Sequence, residues 1–433
     1  MFPPGPLSIP TLKAPIDIDW SVPGSKSITN RALVLAALAD GTSTLSGVLA
    51  SDDTKHMRRS LGQLGIALQD VDDTTLRVTG GIQRLVAPRE PLFVGNSGTT
   101  VRFVSALCCL VDGAVRLEGD QHMALRPILD LVQGLEQLGV GVECASGCPP
   151  LVVHGGKLPG GRVRMRGDRS SQYFSALLMA GAAAESRLEL EVIGELVSRP
   201  YVEITLSMMQ AFGGSASATE TGFVVEPGGY RATDYAIEPD ASSASYAFAA
   251  ALASGGRVTV HGLGTRSLQG DYRFTEVLER MGARVERTPT STTVSATGRL
   301  RGVDVDMHHI SDTVMTLAAL APLLEGPTTI RNVANIRIKE TDRLQATVSE
   351  LKRLGQEVSH GDDWLKILPR PVLPATVRSY SDHRMAMAFA ILGLAKEGVA
   401  IEDPACVAKT YPGFWDALGL CYSSQGLPEP FRA

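Results

Sequence analysis

A Gly-Ser-Lys-Ser turn, residues 24–27, runs straight into an Ala/Leu-rich stretch, with Arg31 one helical turn in. A helix N-terminus offers free N–H donors and a partial positive charge, so lysine, serine and arginine placed there can cradle an anion. Ser27 and Arg31 stand four residues apart and would share one helix face. The plain alternative is an N-cap, with the Ser27 side chain accepting a backbone bond and Lys26 simply solvated. A nucleotide phosphate loop is excluded, because Ser25 precedes Lys26 and Trp20 stands where the first glycine of that motif belongs. Three further stretches hold acid and base groups. "NIRIKETDRL" (335–344) sets Lys339, Glu340 and Arg343 together, "HHISDTVMT" (308–316) puts Asp312 at the start of an apolar run, and "YSDHRMAMAFA" (380–390) adds Asp382, His383 and Arg384. A carboxylate among cations can serve as a base, and a second as an acid, if their surroundings separate their pKa values. The plain alternative is surface ion pairing, which contributes little. No nucleophile elbow, metal box or dinucleotide fingerprint is found. The residues point to acid–base chemistry on a small phosphorylated substrate, without metal, cofactor or nucleotide.

Groups so far apart in the chain need elements to gather them, and those elements repeat. Six apolar Ala/Leu-rich helices are each followed by a break and a β-type run: "RALVLAALADGTSTL", "VRFVSALCCLVDGAVRL", "YFSALLMAGAAAESRLEL", "SYAFAAALASGGRVTV", "MTLAALAPLLEGPTTI" and "AMAFAILGLAKEGVAI". The breaks fall at Gly41, Gly113, Glu185, Gly255, Gly326 and Gly398, a spacing of 70 to 72 residues. A second helix in each unit ends in an apolar residue and glycine: Leu64-Gly65, Leu138-Gly139, Phe212-Gly213, Met281-Gly282, Leu354-Gly355 and Leu418-Gly419. Alternating runs such as "TTLRVTG" and "TTVSATG" follow. Helices apolar nearly all round are expected to be buried, with sheets outside them. Six units divide most simply into two lobes of three. "GSKS", "GNSGTT", "GDRSSQ", "DASSAS", "ISDT" and "YSDHR" open the six buried helices, accompanied by Lys26, Arg31, Arg126, Arg199, Lys339, Arg343, Arg384 and Lys409. Such openings in register, pointing toward one cleft, suit a multiply anionic substrate.

Bulk composition agrees. The chain has 433 residues, 44% of them hydrophobic and 20% charged, with a net charge of -5 that argues against general nucleic-acid binding. Its six cysteines form no disulfide ladder, and Cys144 with Cys148 meets no partner pair for zinc. All six read as core or incidental thiols of a reducing cytoplasm. Residues 1–15 lack the features of a signal peptide, and no apolar run is long enough to span a membrane.

The motifs "PGSKSITNRAL", "GNSGTTVR", "RPILDLV", "SSQYFSALL", "SRPYVEITL", "DASSASY", "QGD", "IKETDR", "SDHRMAMA" and "AKTYPGFW" run over essentially the whole chain. With them the sequence resembles the 5-enolpyruvylshikimate-3-phosphate synthase family of enolpyruvyl transferases. The resemblance implies a two-lobed inside-out α/β barrel of six βαβαββ repeats with buried helices and outer sheets. It implies an N-terminal lobe of residues 24–240 and a C-terminal lobe of 1–23 plus 241–433. The chain would pass between lobes near Pro23 and Asp240, and the active site would lie in the cleft. It further implies transfer of the enolpyruvyl group of phosphoenolpyruvate to the 5-hydroxyl of shikimate 3-phosphate, with release of phosphate.

Carried over residue by residue, Lys26, Gly98, Arg126, Gln172, Arg343, Arg384 and Lys409 would hold phosphoenolpyruvate. Lys26, Ser27, Arg31, Ser170, Ser171, Gln172, Ser198, Tyr201, Asp312, Asn335 and Lys339 would hold shikimate 3-phosphate. Asp312 would act as base and Glu340 as acid assisted by Lys26, with His383 supporting the cluster. The family is the target of glyphosate. Gly98 is compatible with that inhibitor, and Phe103 stands where proline is common. A cytoplasmic monomer without cofactor, nucleic-acid partner or membrane association is expected. The sister enzymes acting on UDP-N-acetylglucosamine typically carry a reactive cysteine before the Arg-Pro pair, and Gly119 to Arg126 contains none. A non-catalytic repeat scaffold would need neither Asp312, Glu340 nor so many cations at helix starts.

Overall fold

The computed structural model describes residues 5–431. Residues 1–4 of the opening stretch and the last two residues of the expected C-terminal lobe lie outside it. Two compact units emerge: Gly24–Ile237, and Met1–Pro23 together with Glu238–Ala433. Residues 238–240 fall with the second unit because Asp240 N donates to Pro23 O at 2.9 Å and the Asp240 side chain caps the Ala241–Ser254 helix.

The repeat is clearest at residues 161–226. Strand Gly161–Arg166, helix Ser171–Gly181 and strand Leu188–Ile193 form a parallel crossover, and helix Pro200–Ala211 then leads to the antiparallel strands Ser215–Ala218 and Gly222–Glu226. The unit is βαβαββ. Two repeats borrow their first strand from afar. Asp17–Asp19 pairs in parallel with Arg257–His261, and Tyr230–Arg231 with Tyr235–Ala236 pairs in parallel with Ala39–Ser46. The sixth unit is incomplete as a stretch of sequence: Leu7–Ser8 supplies the antiparallel neighbour of Val399–Ile401. Among the described residues the sheets hold three to five strands each and end on open edges. The expectation of a barrel is therefore corrected. Each ladder stops at its own unit, and among the described residues no strand carries the hydrogen bonding onward.

Six helices fill the cores. Lys26–Leu38, Gly98–Cys108 and Ser171–Gly181 belong to the first unit, and Ala241–Ser254, Val314–Leu320 and His383–Ala395 to the second. Their apolar residues lie buried on all faces, as in Leu33, Leu35, Ala36 and Ala37 of the first helix. A helix without a polar stripe can satisfy its side chains only inside. The fifth is shorter than its sequence suggests, flanked by 3-10 turns at Ser311–Thr313 and Ala321–Leu323. Pro322 has no N–H to continue the ladder. The outer helices close as expected at Gly65, Gly139, Gly213, Gly282 and Gly355, all with φ between 79° and 102°. The sixth does not. Helix Phe414–Ser423 runs through Gly419, and the left-handed residue is Gly426 at φ 69°. No helix among the described residues is long and apolar enough to cross a membrane.

Candidate active site

In the first unit the anion-cradle stretch builds the mouth of a buried helix. The helix begins at Lys26 rather than after a capping Ser27, and Ser25 occupies the cap position with no side-chain cap bond. The Ser25 hydroxyl is buried without a hydrogen-bond partner, so its side chain does not cap this helix. Lys26 Nζ lies 3.3 Å from Asp53 Oδ2, at the start of the Asp52–Gln63 helix. Asp53 was not singled out in the sequence, since nothing in its own surroundings marks it.

Arg31 is 1% exposed and makes four hydrogen bonds to protein acceptors: Nε to Thr205 Oγ1 at 2.7 Å, Nη1 to Ser27 O at 2.9 Å, and Nη2 to Tyr201 O at 3.0 Å and Ser175 Oγ at 3.2 Å. Its guanidinium also lies 5.2 Å from the Phe103 ring centroid. Burial lowers its pKa to about 10, against an upward pull from Tyr201. At neutral pH it remains a buried cation that ties four helices together and fixes Ser27 and Tyr201.

Gly98 opens the Gly98–Cys108 helix, and a Cβ there would lie 2.6 Å from Arg126 Nη2. The missing side chain lets the guanidinium rest on the helix mouth. Arg126 Nη1 donates to Asn96 O and Oδ1, both at 3.2 Å. Ser170 caps the third helix through Gln172 N, and Ser171 begins it. Gln172 bridges two helices, its Oε1 accepting from Arg102 Nη1 at 2.7 Å and its Nε2 donating to Thr99 Oγ1 at 3.4 Å. Arg102 escaped the sequence reading, although an arginine inside an apolar helix was itself the signal. Ser198 is buried and holds φ 52°, an unusual angle for a residue with a Cβ, just before helix Pro200–Ala211.

The second unit holds the carboxylates. Arg343, with a side chain 2% exposed, donates from Nε to Asp382 Oδ2 at 2.7 Å, from Nη1 to Asp312 Oδ1 at 3.1 Å and from Nη2 to Glu340 Oε2 at 2.7 Å. Arg384 Nη2 reaches the other oxygen of Asp312 at 2.7 Å. Burial opposes the Arg343 charge, and Asp382, Glu340 and Asp312 outweigh it, holding its pKa above the ordinary guanidinium value. Surface ion pairing is thereby ruled out for this group. Asn335 Nδ2 donates to Ser311 Oγ at 3.0 Å, bracing the residue before Asp312. Asp382 caps the His383–Ala395 helix through Arg384 N at 2.9 Å. His383 is fully buried, with Nδ1 3.8 Å from Asp382 Oδ1. Lys339 directly precedes Glu340, and Lys409 ends the Pro404–Lys409 turn, both partly buried. Tyr246, also overlooked in the sequence, sits among Arg384, Arg343 and Asp382, its hydroxyl pushed up to about 12 chiefly by burial.

Chemically, one guanidinium fixes two carboxylates on its two terminal nitrogens, an arrangement able to hold a base and an acid at a set separation. Among the described residues no group of three metal-ligating side chains gathers. Cys108 and Cys109 are fully buried, and burial raises both thiols, Cys109 to about 12, so neither offers a reactive thiolate.

Known proteins match this chain over nearly its whole length. The family described as EPSP synthase (3-phosphoshikimate 1-carboxyvinyltransferase) matches residues 12–418. A 3-phosphoshikimate 1-carboxyvinyltransferase of Trichormus variabilis is 44% identical over 414 residues, covering 94% of this chain and 97% of the relative. One from Serratia proteamaculans is 46% identical over 406 residues, covering 92% and 94%. A solved EPSP synthase from Acinetobacter baumannii shares the fold with a TM-score of 0.81 at 24% identity, over 96% of this chain and 98% of that one.

Proposed function

The chain belongs to the EPSP synthase (3-phosphoshikimate 1-carboxyvinyltransferase) family, and on that premise we propose that it joins phosphoenolpyruvate to the 5-hydroxyl of shikimate 3-phosphate and releases phosphate. The observation that carries the reading is Arg343 holding Asp312 and Glu340 on neighbouring nitrogens. Asp312 takes the hydroxyl proton as the oxygen attacks C2 of phosphoenolpyruvate. Glu340, assisted by Lys26, delivers a proton to the methylene carbon. The tetrahedral adduct then expels phosphate and returns a proton from its methyl group, which regenerates the double bond.

Binding is assigned by charge. Lys26, Arg126, Arg343, Arg384 and Lys409 meet the phosphate and carboxylate of phosphoenolpyruvate, with Gly98 and Gln172 shaping the approach. Ser27, Ser170, Ser171, Ser198, Tyr201, Asn335 and Lys339 hold shikimate 3-phosphate. Arg31 is assigned to shikimate 3-phosphate with them, and it also fixes Ser27 and Tyr201 through its bonds to their carbonyl oxygens. His383 stabilises Asp382 from within the core. Preorganised cations are expected to supply much of the rate. We assign the enzyme to the cytoplasm, as a monomer.

A phosphate-release assay with phosphoenolpyruvate tests the proposal, offering shikimate 3-phosphate or UDP-N-acetylglucosamine as acceptor. Turnover with the first alone is expected. Asp312→Asn and Glu340→Gln should each lower kcat by about 100-fold or more while circular dichroism stays unchanged. Near-normal phosphate release by either variant would contradict the acid and base roles of these two carboxylates.

A further inference from the structure

The turn that presents Asp382 and Arg384 is strained. Tyr380 and Ser381 take φ 56° and 54°, the left-handed region that residues with a Cβ avoid. Asp382 N donates to Ser379 O at 2.9 Å and closes the turn. Against the turn packs Glu350, a carboxylate with a fully buried side chain on the Arg343–Arg353 helix. Its Oε1 accepts from Tyr380 Oη at 2.6 Å, and its Oε2 from Arg378 N at 3.0 Å and Arg353 Nε at 2.9 Å. Glu350 follows Arg343 by seven residues, two helical turns along one face. One helix therefore grips the turn twice, through Arg343 on Asp382 and through Glu350 on Tyr380 and Arg378. Burial, reinforced by Glu350, pushes the Tyr380 hydroxyl up to about 12, so it keeps its proton and donates across the neutral range.

We propose that Glu350 and Tyr380 are a positioning pair for enolpyruvyl transfer, fixing the strained turn so that Arg384 meets Asp312 and Asp382 meets Arg343. Neither residue is among those assigned to substrate, and the inference rests on the reaction assigned above. A buried carboxylate is costly unless its acceptor sites are filled, and here two of its three bonds go to the segment that delivers Arg384. A wholly structural role would lower the melting temperature or the fraction of active enzyme and leave KM alone. A positioning role moves KM for the ligand that Arg384 and Arg343 hold.

The test is steady-state phosphate release by Tyr380→Phe and Glu350→Gln, each with a thermal melt. Tyr380→Phe removes one hydroxyl and decides the matter even if Glu350→Gln does not fold. The expected result is a KM for phosphoenolpyruvate raised about tenfold, with KM for shikimate 3-phosphate changed by no more than about twofold. An unchanged KM for phosphoenolpyruvate, whatever the melting temperature does, overturns the pair while leaving the reaction intact. A wild-type enzyme that releases no phosphate overturns the reaction and the pair with it.

Discussion

Gly98 and Arg126 are separate in the chain and inseparable in space. An added methyl group would lie 2.6 Å from Nη2 and 2.7 Å from Cζ of the guanidinium, too close for either to stay. The obstructed atoms end a flexible side chain, so the fold can absorb the clash, whereas the cation we propose for phosphoenolpyruvate must move. Gly98→Ala should therefore raise KM for phosphoenolpyruvate by about tenfold with little change in melting temperature. Steady-state kinetics beside a thermal melt would check it. Residues of this kind divide into those a sequence can mark and those it cannot. Lys26, Glu340, Arg343 and Arg384 announce themselves as charges at helix openings. Asp53, Glu350 and Tyr380 act on side chains many residues away, and their own neighbours carry no sign of it. Arg31 lies between the two cases: its type and spacing were legible, but not that Thr205, Ser175 and Tyr201 would take its donors.

Four of the six core helices carry a side-chain cap, from Ser97, Ser170, Asp240 and Asp382. The helix beginning at Lys26 and the short one following Asp312 have none. Asp240 illustrates the capped kind, its Oδ1 accepting from Ser243 N at 2.7 Å in a buried setting. Asp240→Ala should cost about 1–2 kcal/mol, seen as a lower urea midpoint at unchanged slope. The repeated openings were legible because capping chemistry uses few residue types, and the outer-helix ends because glycine alone adopts a left-handed backbone cheaply. Two element details were not. Gly419 resembles its five counterparts in sequence, yet its helix continues to Ser423. Pro322 shortens the fifth core helix within an otherwise unbroken apolar run.

At the scale of the molecule, each unit has its own core, and the second is stitched together from both ends of the chain. The spacing of the sixfold repeat was readable, but the borrowed strands were not, because Asp17–Asp19 and Tyr230–Arg231 are too short to display a pattern. Trp20 is the clearest stitch. It is 1% exposed, its backbone N–H donates to Thr259 O at 2.8 Å, and its Nε1 donates to Tyr411 Oη at 3.0 Å. Trp20→Ala should lower unfolding free energy by about 3–5 kcal/mol, measurable by urea titration. The Trp20–Tyr411 bond spans 391 positions, and this has a bearing on how the protein is made. At ordinary translation speeds roughly 20–80 s separate the emergence of the tryptophan from that of its partner. The middle of the nascent chain can mature on the ribosome meanwhile. The leading segment must wait, with Ile9, Ile16 and Trp20 in want of the greasy bed they finally occupy, and a holding chaperone has its natural opening there.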